Sequence, residues 1–239
     1  MTRADRDLGL RLTAAAVLTI GLLVPTALVG ILVVGTWDPL YDVDESLTRA
    51  LHTFAVGHPA WVVAMSVWSY MFDPNVLRIA AAALALWLWR RRGAPRLAWW
   101  VVVTMTAGGV LGAVLKLLVG RHRPDLLEPV ARAAGYSFPS GHSLNTALAA
   151  GVFLLVFLPF ASGHPGRRAM LWTVAVLVPL ITGICRVGLG VHWASDVIGG
   201  WLMGVAVVAA TTTAFQAWRA WTGRRRAVVT AEGVEPEIA

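Results

Sequence analysis

The sequence predicts an all-α polytopic membrane protein with six transmembrane helices and an additional amphipathic helix on the outer face of the membrane. Three observations carry this fold class. Of 239 residues, 57% are hydrophobic and only 14% charged. The mean hydropathy of +0.68 lies far above that of water-soluble domains. Apolar runs also recur at close to the length of about 20 residues that a helix needs to cross a bilayer. A net charge of +7 would suggest a nucleic-acid partner in a soluble chain. Here most arginines flank apolar runs, where membrane topology accounts for them and no nucleic acid is needed. The single cysteine, Cys185, excludes an internal disulfide and a multi-cysteine metal site.

The first apolar run, residues 12–34, follows a basic preface but exceeds the roughly 7–15 apolar residues of a signal peptide, so it reads as a retained anchor. Asp42 and Glu45 then make a capping box for a helix in which Leu47, Ala50, Leu51 and Phe54 keep helical spacing. That helix is placed on the outer face. Residues 61–72 are too short to span and are cut off by Asp73-Pro74, so they read as an interfacial or re-entrant piece. Residues 76–89 form a short second span, with Arg78 snorkelling near one end. The third to sixth spans follow at residues 97–119, 143–160, 170–184 and 197–218, and Gly108, Gly109 and Gly112 in the third allow close helix packing. The membrane domain covers residues 1–226, and residues 227–239 read as a polar, disordered cytoplasmic tail.

With six spans and both termini inside, the inner segments hold Arg3, Arg6 and Arg11, then Arg90, Arg91, Arg92 and Arg96, then Arg167 and Arg168, then Arg219, Arg224, Arg225 and Arg226. These are 13 of the chain's 20 basic residues. Making residues 61–72 a further span would move some of these clusters outside, against the positive-inside bias. Trp37, Trp193 and Trp201 then mark the outer boundary, and Trp87, Trp89, Trp99, Trp100, Trp172, Trp218 and Trp221 the inner one.

The remaining cations, Arg49, Arg78, Lys116, Arg121, Arg123, Arg132 and Arg186, fall on the outer side, so something local must hold them there. Lys116 is the only lysine in the chain. Three outer stretches at helix ends, residues 116–124, 138–143 and 185–196, collect the unusual chemistry. Lys116, Arg123 and Arg186 supply three positive charges suited to phosphate oxygens. Ser140 and Gly141 stand where the fourth span opens, offering backbone N–H groups and the positive end of a helix dipole to an anion. His142 and His192 bring imidazoles that can act as acid, base or nucleophile. Asp196 follows His192 by four residues, which on one helix face lets the carboxylate orient the imidazole. Arg121 and His122 read either as lining the mouth of the site or as a solvated basic loop. His52, His58 and His164 show no partner pattern and are assigned no role.

Lys116 followed after six residues by Arg123-Pro124, then Pro139-Ser140-Gly141-His142, then Arg186 followed after five residues by His192 and after three more by Asp196, resembles the three-part signature of the type 2 phosphatidic acid phosphatase family. That family shares its fold with vanadium-dependent haloperoxidases, and the short chain resembles its bacterial members. One departure is Cys185, where the family usually has serine. The resemblance implies a lipid phosphatase in which His192 attacks phosphorus and forms a phosphohistidine, Asp196 orients it, and His142 protonates the leaving oxygen. Lys116, Arg123, Ser140, Gly141 and Arg186 would hold the phosphoryl oxygens, without metal or other cofactor. The implied substrate is a lipid phosphate or pyrophosphate, such as polyprenyl pyrophosphate, phosphatidylglycerol phosphate or phosphatidic acid. The site would face the extracytoplasmic side of the plasma (inner) membrane. Two alternatives keep the same cations: a membrane phosphotransferase, and a non-catalytic anion-binding or transport protein, for which an oriented nucleophile has no use.

Overall fold

In a computed structural model of the chain, which describes residues 3–127 and 129–231, eight α-helices follow one another. They are α1 (Arg3–Val34), α2 (Asp38–Val56), α3 (Pro59–Met71), α4 (Pro74–Arg90), α5 (Pro95–Val119), α6 (Gly141–Phe157), α7 (Pro165–Gly188) and α8 (Ala194–Ala231), with one 3-10 turn (Leu158–Ala161) after α6. Five of them, α2, α3, α4, α5 and α7, carry proline in the first two positions. There the missing N–H removes a donor that has no intrahelical partner anyway. Five stretches are long and apolar enough to cross a membrane, and α1 with α2, bent by 89° at their junction, can make a sixth. Residues 232–239, most of the expected tail, lie outside the described residues.

The helix α6 is the hub. It packs against α4, α5, α7 and α8, and 56% of its span is buried, more than of any other span. Its Leu144, Leu148 and Val152 meet Leu77, Leu84 and Leu88 of α4, Val101 and Met105 of α5, and Met203 and Val208 of α8 in the main apolar core. Lipid is as apolar as leucine, so helix association must come from close packing at small residues. Gly108 and Gly112 of α5 receive Leu148 and Leu144, and Gly109 faces the Arg78 side chain. On α8, a methyl group at Gly200 would lie 2.8 Å from the Ser140 carbonyl oxygen and 3.1 Å from the Leu144 nitrogen, and one at Gly204 2.9 Å from the Leu144 carbonyl oxygen. Backbone meets backbone here, and the start of α8 is thereby pressed onto the start of α6.

Three expectations are corrected. Residues 59–90 form one 32-residue apolar stretch, not an interfacial piece followed by a short span. At its break Asp73 caps the Asn75 N–H at 2.8 Å while the Leu77 N–H donates to the Asp73 carbonyl at 3.0 Å, so the helical path resumes at once. The helix α2 begins at Asp38, with Pro39 in its first turn, which puts Asp42 and Glu45 inside the helix and not at a capping box. Its buried face is Asp44, Thr48, His52 and Ala55, whereas Leu47, Ala50 and Phe54 face outward. Finally, Trp100, Trp193 and Trp201 are turned inward, the last two donating indole N–H groups to the carbonyls of His122 and Pro179, both at 3.0 Å.

Because a methyl group at Gly200 would meet the Ser140 carbonyl oxygen, the Ser143 Cβ and the Leu144 nitrogen, none of which can swing aside, Gly200→Ala should force α8 away from α6 and lower stability by about 1–3 kcal/mol. A thermal melt in detergent reads this as a drop in Tm, while Gly166→Ala, where an added methyl group meets open space, does not lower it.

Candidate active site

The α5 helix ends at Gly120, whose φ of +63° is the left-handed conformation that glycine adopts without a Cβ penalty. This turn leaves Lys116 on the last helical turn and sends Arg121, His122 and Arg123 back across the bundle. Carbonyl groups of the following loop then hold two of the cations. Lys116 Nζ donates to Tyr136 O at 2.7 Å. Arg123 donates through Nε to Gly135 O at 2.9 Å and through Nη2 to Ala134 O at 3.0 Å. Its Nη1 reaches Val191 O at 2.6 Å, in the turn after α7. The first and third stretches are thus stitched together through one guanidinium.

The second stretch is tied in through the start of α6. Ser140 is fully buried, and its Oγ caps α6 by accepting from the Ser143 N–H at 3.4 Å and the Ser143 hydroxyl at 3.1 Å. The Ser140 N–H donates to the Asp196 carbonyl at 3.0 Å. The space above Gly141 is open, with nothing within 4 Å of where a Cβ would stand. His142, in the first turn of α6, places Nε2 3.7 Å from Asp73 Oδ2 of the α3–α4 break.

His192 is almost fully buried, and both ring nitrogens have partners. Nε2 lies 3.1 Å from Arg123 Nη1, and Nδ1 lies 3.3 Å from Asp196 Oδ2. A guanidinium can only donate, so Nε2 must accept and Nδ1 must carry the proton, which it donates to the carboxylate. The lone pair of Nε2 therefore points toward the cations. Burial is the main force that pushes the His192 pKa down to about 3. The Asp196 hydrogen bond and charge oppose the shift, and the Arg123 and Arg186 charges add to it. Above that pH the ring is neutral and its lone pair is free for attack.

Asp196 is completely buried. Its Oδ2 accepts from His192, from the Trp193 N–H at 2.9 Å and from the Ser137 hydroxyl in a short bond, and its Oδ1 accepts from Arg121 Nη1 at 2.8 Å. Arg121 is accordingly not part of a solvated loop, although it lines a cavity with His122 and Arg123. Its other nitrogen binds Asp44 Oδ2 of α2 at 2.8 Å, and its guanidinium sits over the Trp193 ring, 5.5 Å from the centroid. Sequence reasoning passed over Asp44, Asp73, Ser137 and Ser195. Asp73 stood in the sequence only as a helix breaker, and the others sit in no recognisable spacing.

Arg186, on the last turn of α7, is buried, yet its Nε has no hydrogen-bond partner. Such an orphaned donor on a charged group is costly unless an anion completes it. Arg186 and Arg123 both lie near enough to act on the His192 ring. The adjacent Cys185 points away from this cluster into an apolar one with Ala55, Met65, Leu189 and Val191. A thiol there packs where the usual serine hydroxyl would require a partner. The structure therefore brings Lys116, Arg123, Ser140, Gly141, His142, Arg186, His192 and Asp196 to one end of the bundle, where cations, helix N–H groups and two imidazoles can surround a tetrahedral oxyanion.

Comparison with known proteins gives a consistent picture. The family model described as PAP2 superfamily matches residues 97–220, more than half of the chain. Phosphatidylglycerophosphatase B of Bacillus subtilis (strain 168) is 41% identical over 99 residues, which cover 40% of this chain and 47% of that protein. An undecaprenyl-diphosphatase of Sulfolobus acidocaldarius is 33% identical over 111 residues, covering 44% and 48% respectively. The chain thus spans about half the length of these curated relatives. The crystal structure of a transmembrane PAP2 type phosphatidylglycerolphosphate phosphatase from Bacillus subtilis has the same fold. It superposes with a TM-score of 0.71 at 24% identity over 81% of this chain and 94% of that one.

The burial of His192 can be read directly. In ¹⁵N spectra its imidazole should keep the neutral Nδ1–H signature from about pH 8 down to about pH 5, well below where an ordinary histidine charges. Protonation near pH 6.5 would show that the ring is solvated.

Proposed function

The chain belongs to the PAP2 superfamily, and we propose that it is an integral-membrane lipid phosphatase that removes a terminal phosphate from a lipid phosphomonoester or pyrophosphate through a phosphohistidine. The observation that carries this reading is the state of His192, whose proton is held by Asp196 on one side while its lone pair faces Arg123 on the other. Anion binding alone needs cations but no oriented nucleophile. Anion transport likewise has no use for one.

When a phosphoryl group enters, Arg123 turns Nη1 from the imidazole to a phosphoryl oxygen, and Arg186 and Lys116 take the others. Nε2 attacks phosphorus in line, forming the N–P bond as the P–O bond to the lipid breaks, and His142 gives the leaving oxygen its proton. The ring becomes cationic on phosphorylation, and the buried Asp196 carboxylate stabilises it through Nδ1–H. The Gly141 N–H at the start of α6 offsets charge on the phosphoryl oxygens. A water, deprotonated by His142, then attacks phosphorus, releasing phosphate and restoring His192. Transfer to an acceptor other than water uses the same residues and differs only in this last step.

The substrate class rests on the named activities of the relatives, phosphatidylglycerophosphatase and undecaprenyl-diphosphatase, and on the site's position at helix ends, where a headgroup enters while its tail stays in lipid. Of the two, polyprenyl diphosphate is the substrate we favour. The distribution of arginines supports a site on the extracytoplasmic side of the plasma membrane with both termini in the cytoplasm.

Purified protein in detergent with a chelator should release phosphate from undecaprenyl diphosphate, phosphatidylglycerol phosphate or phosphatidic acid. His192→Ala should reduce this by on the order of 10³-fold or more while orthovanadate still binds. Turnover retained in His192→Ala would overturn the nucleophile assignment, and no release from any of the three lipids would favour the anion-binding alternative.

A further inference from the structure

A heavily bonded side chain outside the three stretches is Asp44, on the inward face of α2. It is 1% exposed, in a helix whose exposed residues include the apolar Val43, Leu47 and Phe54. Its Oδ1 accepts from the Ser195 N–H at 2.8 Å, and its Oδ2 accepts from the Ser195 hydroxyl and from Arg121 Nη2 at 2.8 Å. Arg121 in turn reaches Ser195 Oγ at 2.7 Å and Asp196 Oδ1 at 2.8 Å through Nη1. One guanidinium is therefore shared by two buried carboxylates, and the second of them is the partner of His192.

We infer that Asp44 is a positioning residue for the nucleophile: by neutralising Arg121 it leaves the charge of Asp196 to His192, and by binding both donor groups of Ser195 it fixes the start of α8 that carries Asp196. The inference rests on the phosphatase reading of the site and extends it to α2. Its physical basis is a charge count. Around the imidazole stand Asp196 of α8, Arg123 of the loop after α5 and Arg186 of α7, with Arg121 on the far side of Asp196 and Lys116 at the end of α5. If Asp44 loses its charge, the whole of Arg121 falls on Asp196. The carboxylate then holds the Nδ1 proton less strongly, and the cationic phosphohistidine loses stabilisation. This makes an amphipathic helix outside the signature part of the chemistry.

Asp44→Asn keeps the shape and the Ser195 N–H bond but removes the charge. It should lower kcat by roughly 10-fold or more with much less change in KM, because the stabilisation concerns the phosphorylated state and not substrate entry. Arg121→Gln alone leaves two buried carboxylates facing each other and should be worse. The double variant Asp44→Asn/Arg121→Gln removes the pair together and should regain activity over Arg121→Gln, the coupling expected where one guanidinium is shared by two carboxylates, while the kcat-against-KM split separates this role from a merely structural tie. The Nδ1–H proton resonance of His192 gives a readout free of activity and should move upfield in Asp44→Asn. Unchanged kcat in Asp44→Asn would overturn the inference, as would a double variant no better than Arg121→Gln. If Asp44→Asn fails to fold, the comparison of Arg121→Gln with the double variant decides. If the wild type releases no phosphate the phosphatase reading fails by itself, and an unmoved Nδ1–H resonance would then sink the role of Asp44 independently.

Discussion

The Asp196 carboxylate holds this end of the bundle together. A fully buried anion is tolerable only when every oxygen is engaged by donors, and here the donors come from three separate parts of the chain. Ser137 belongs to the loop before α6, Arg121 to the turn after α5, and His192 and Trp193 to the turn before α8. The backbone carbonyl of the same residue receives the Ser140 N–H at the head of α6. Desolvation thus makes convergence obligatory. If any one stretch drifted away, the charge would be left uncompensated in a medium that cannot solvate it. The glycines of α8 serve the same end, since the contact of Gly200 with the Ser140 carbonyl keeps the two helix starts in register.

The cations obey the opposite logic. Lys116 and Arg123 are held by backbone carbonyls, which are partial charges that a phosphate can outbid. Arg121 is held by full carboxylates, which a phosphate cannot displace without exposing them. The five-residue separation of Lys116 from Arg121 therefore divides basic residues of one short stretch into two kinds. Lys116 and Arg123 remain available to an incoming anion, whereas Arg121 is part of the frame. Arg186, with a buried nitrogen lacking any acceptor, belongs with the first kind.

What was legible in the sequence follows from range. The spacing of His192 and Asp196 is one helical turn, the Ser140 cap precedes its helix directly, and Lys116 and Arg123 flank one turn at Gly120, so each stretch encodes its own local geometry. Apolar runs of bilayer length made the helical class equally plain. The partnership of Asp44 with Ser195 joins residues 151 positions apart and leaves no periodic trace. Ser137 is one hydroxyl in a loop, and nothing in its neighbours distinguishes it. Arg121 was ambiguous because a basic loop looks the same whether it faces water or a buried carboxylate. The stretch of residues 59–90 was divided at Asp73-Pro74 because proline ordinarily ends a helix, whereas Asp73 both caps the next helix and accepts its first backbone bond.

The orientation of α2 has the most general cause. In water an amphipathic helix turns its apolar stripe inward, and on that assumption Leu47, Ala50, Leu51 and Phe54 would be the buried face. Here the environments are exchanged. The outside offers lipid or its interface, and the interior at this end of the bundle holds Arg121, Ser195 and Asp196. Burying leucine against that cluster would leave Arg121 short of an acceptor. Turning Asp44 inward satisfies the guanidinium and leaves the apolar residues where hydrocarbon can meet them. The rule that governs α2 is therefore matching of polarity on both faces. The same rule explains why Lys116, His142, Arg186 and Asp196 are found at the ends of largely apolar helices.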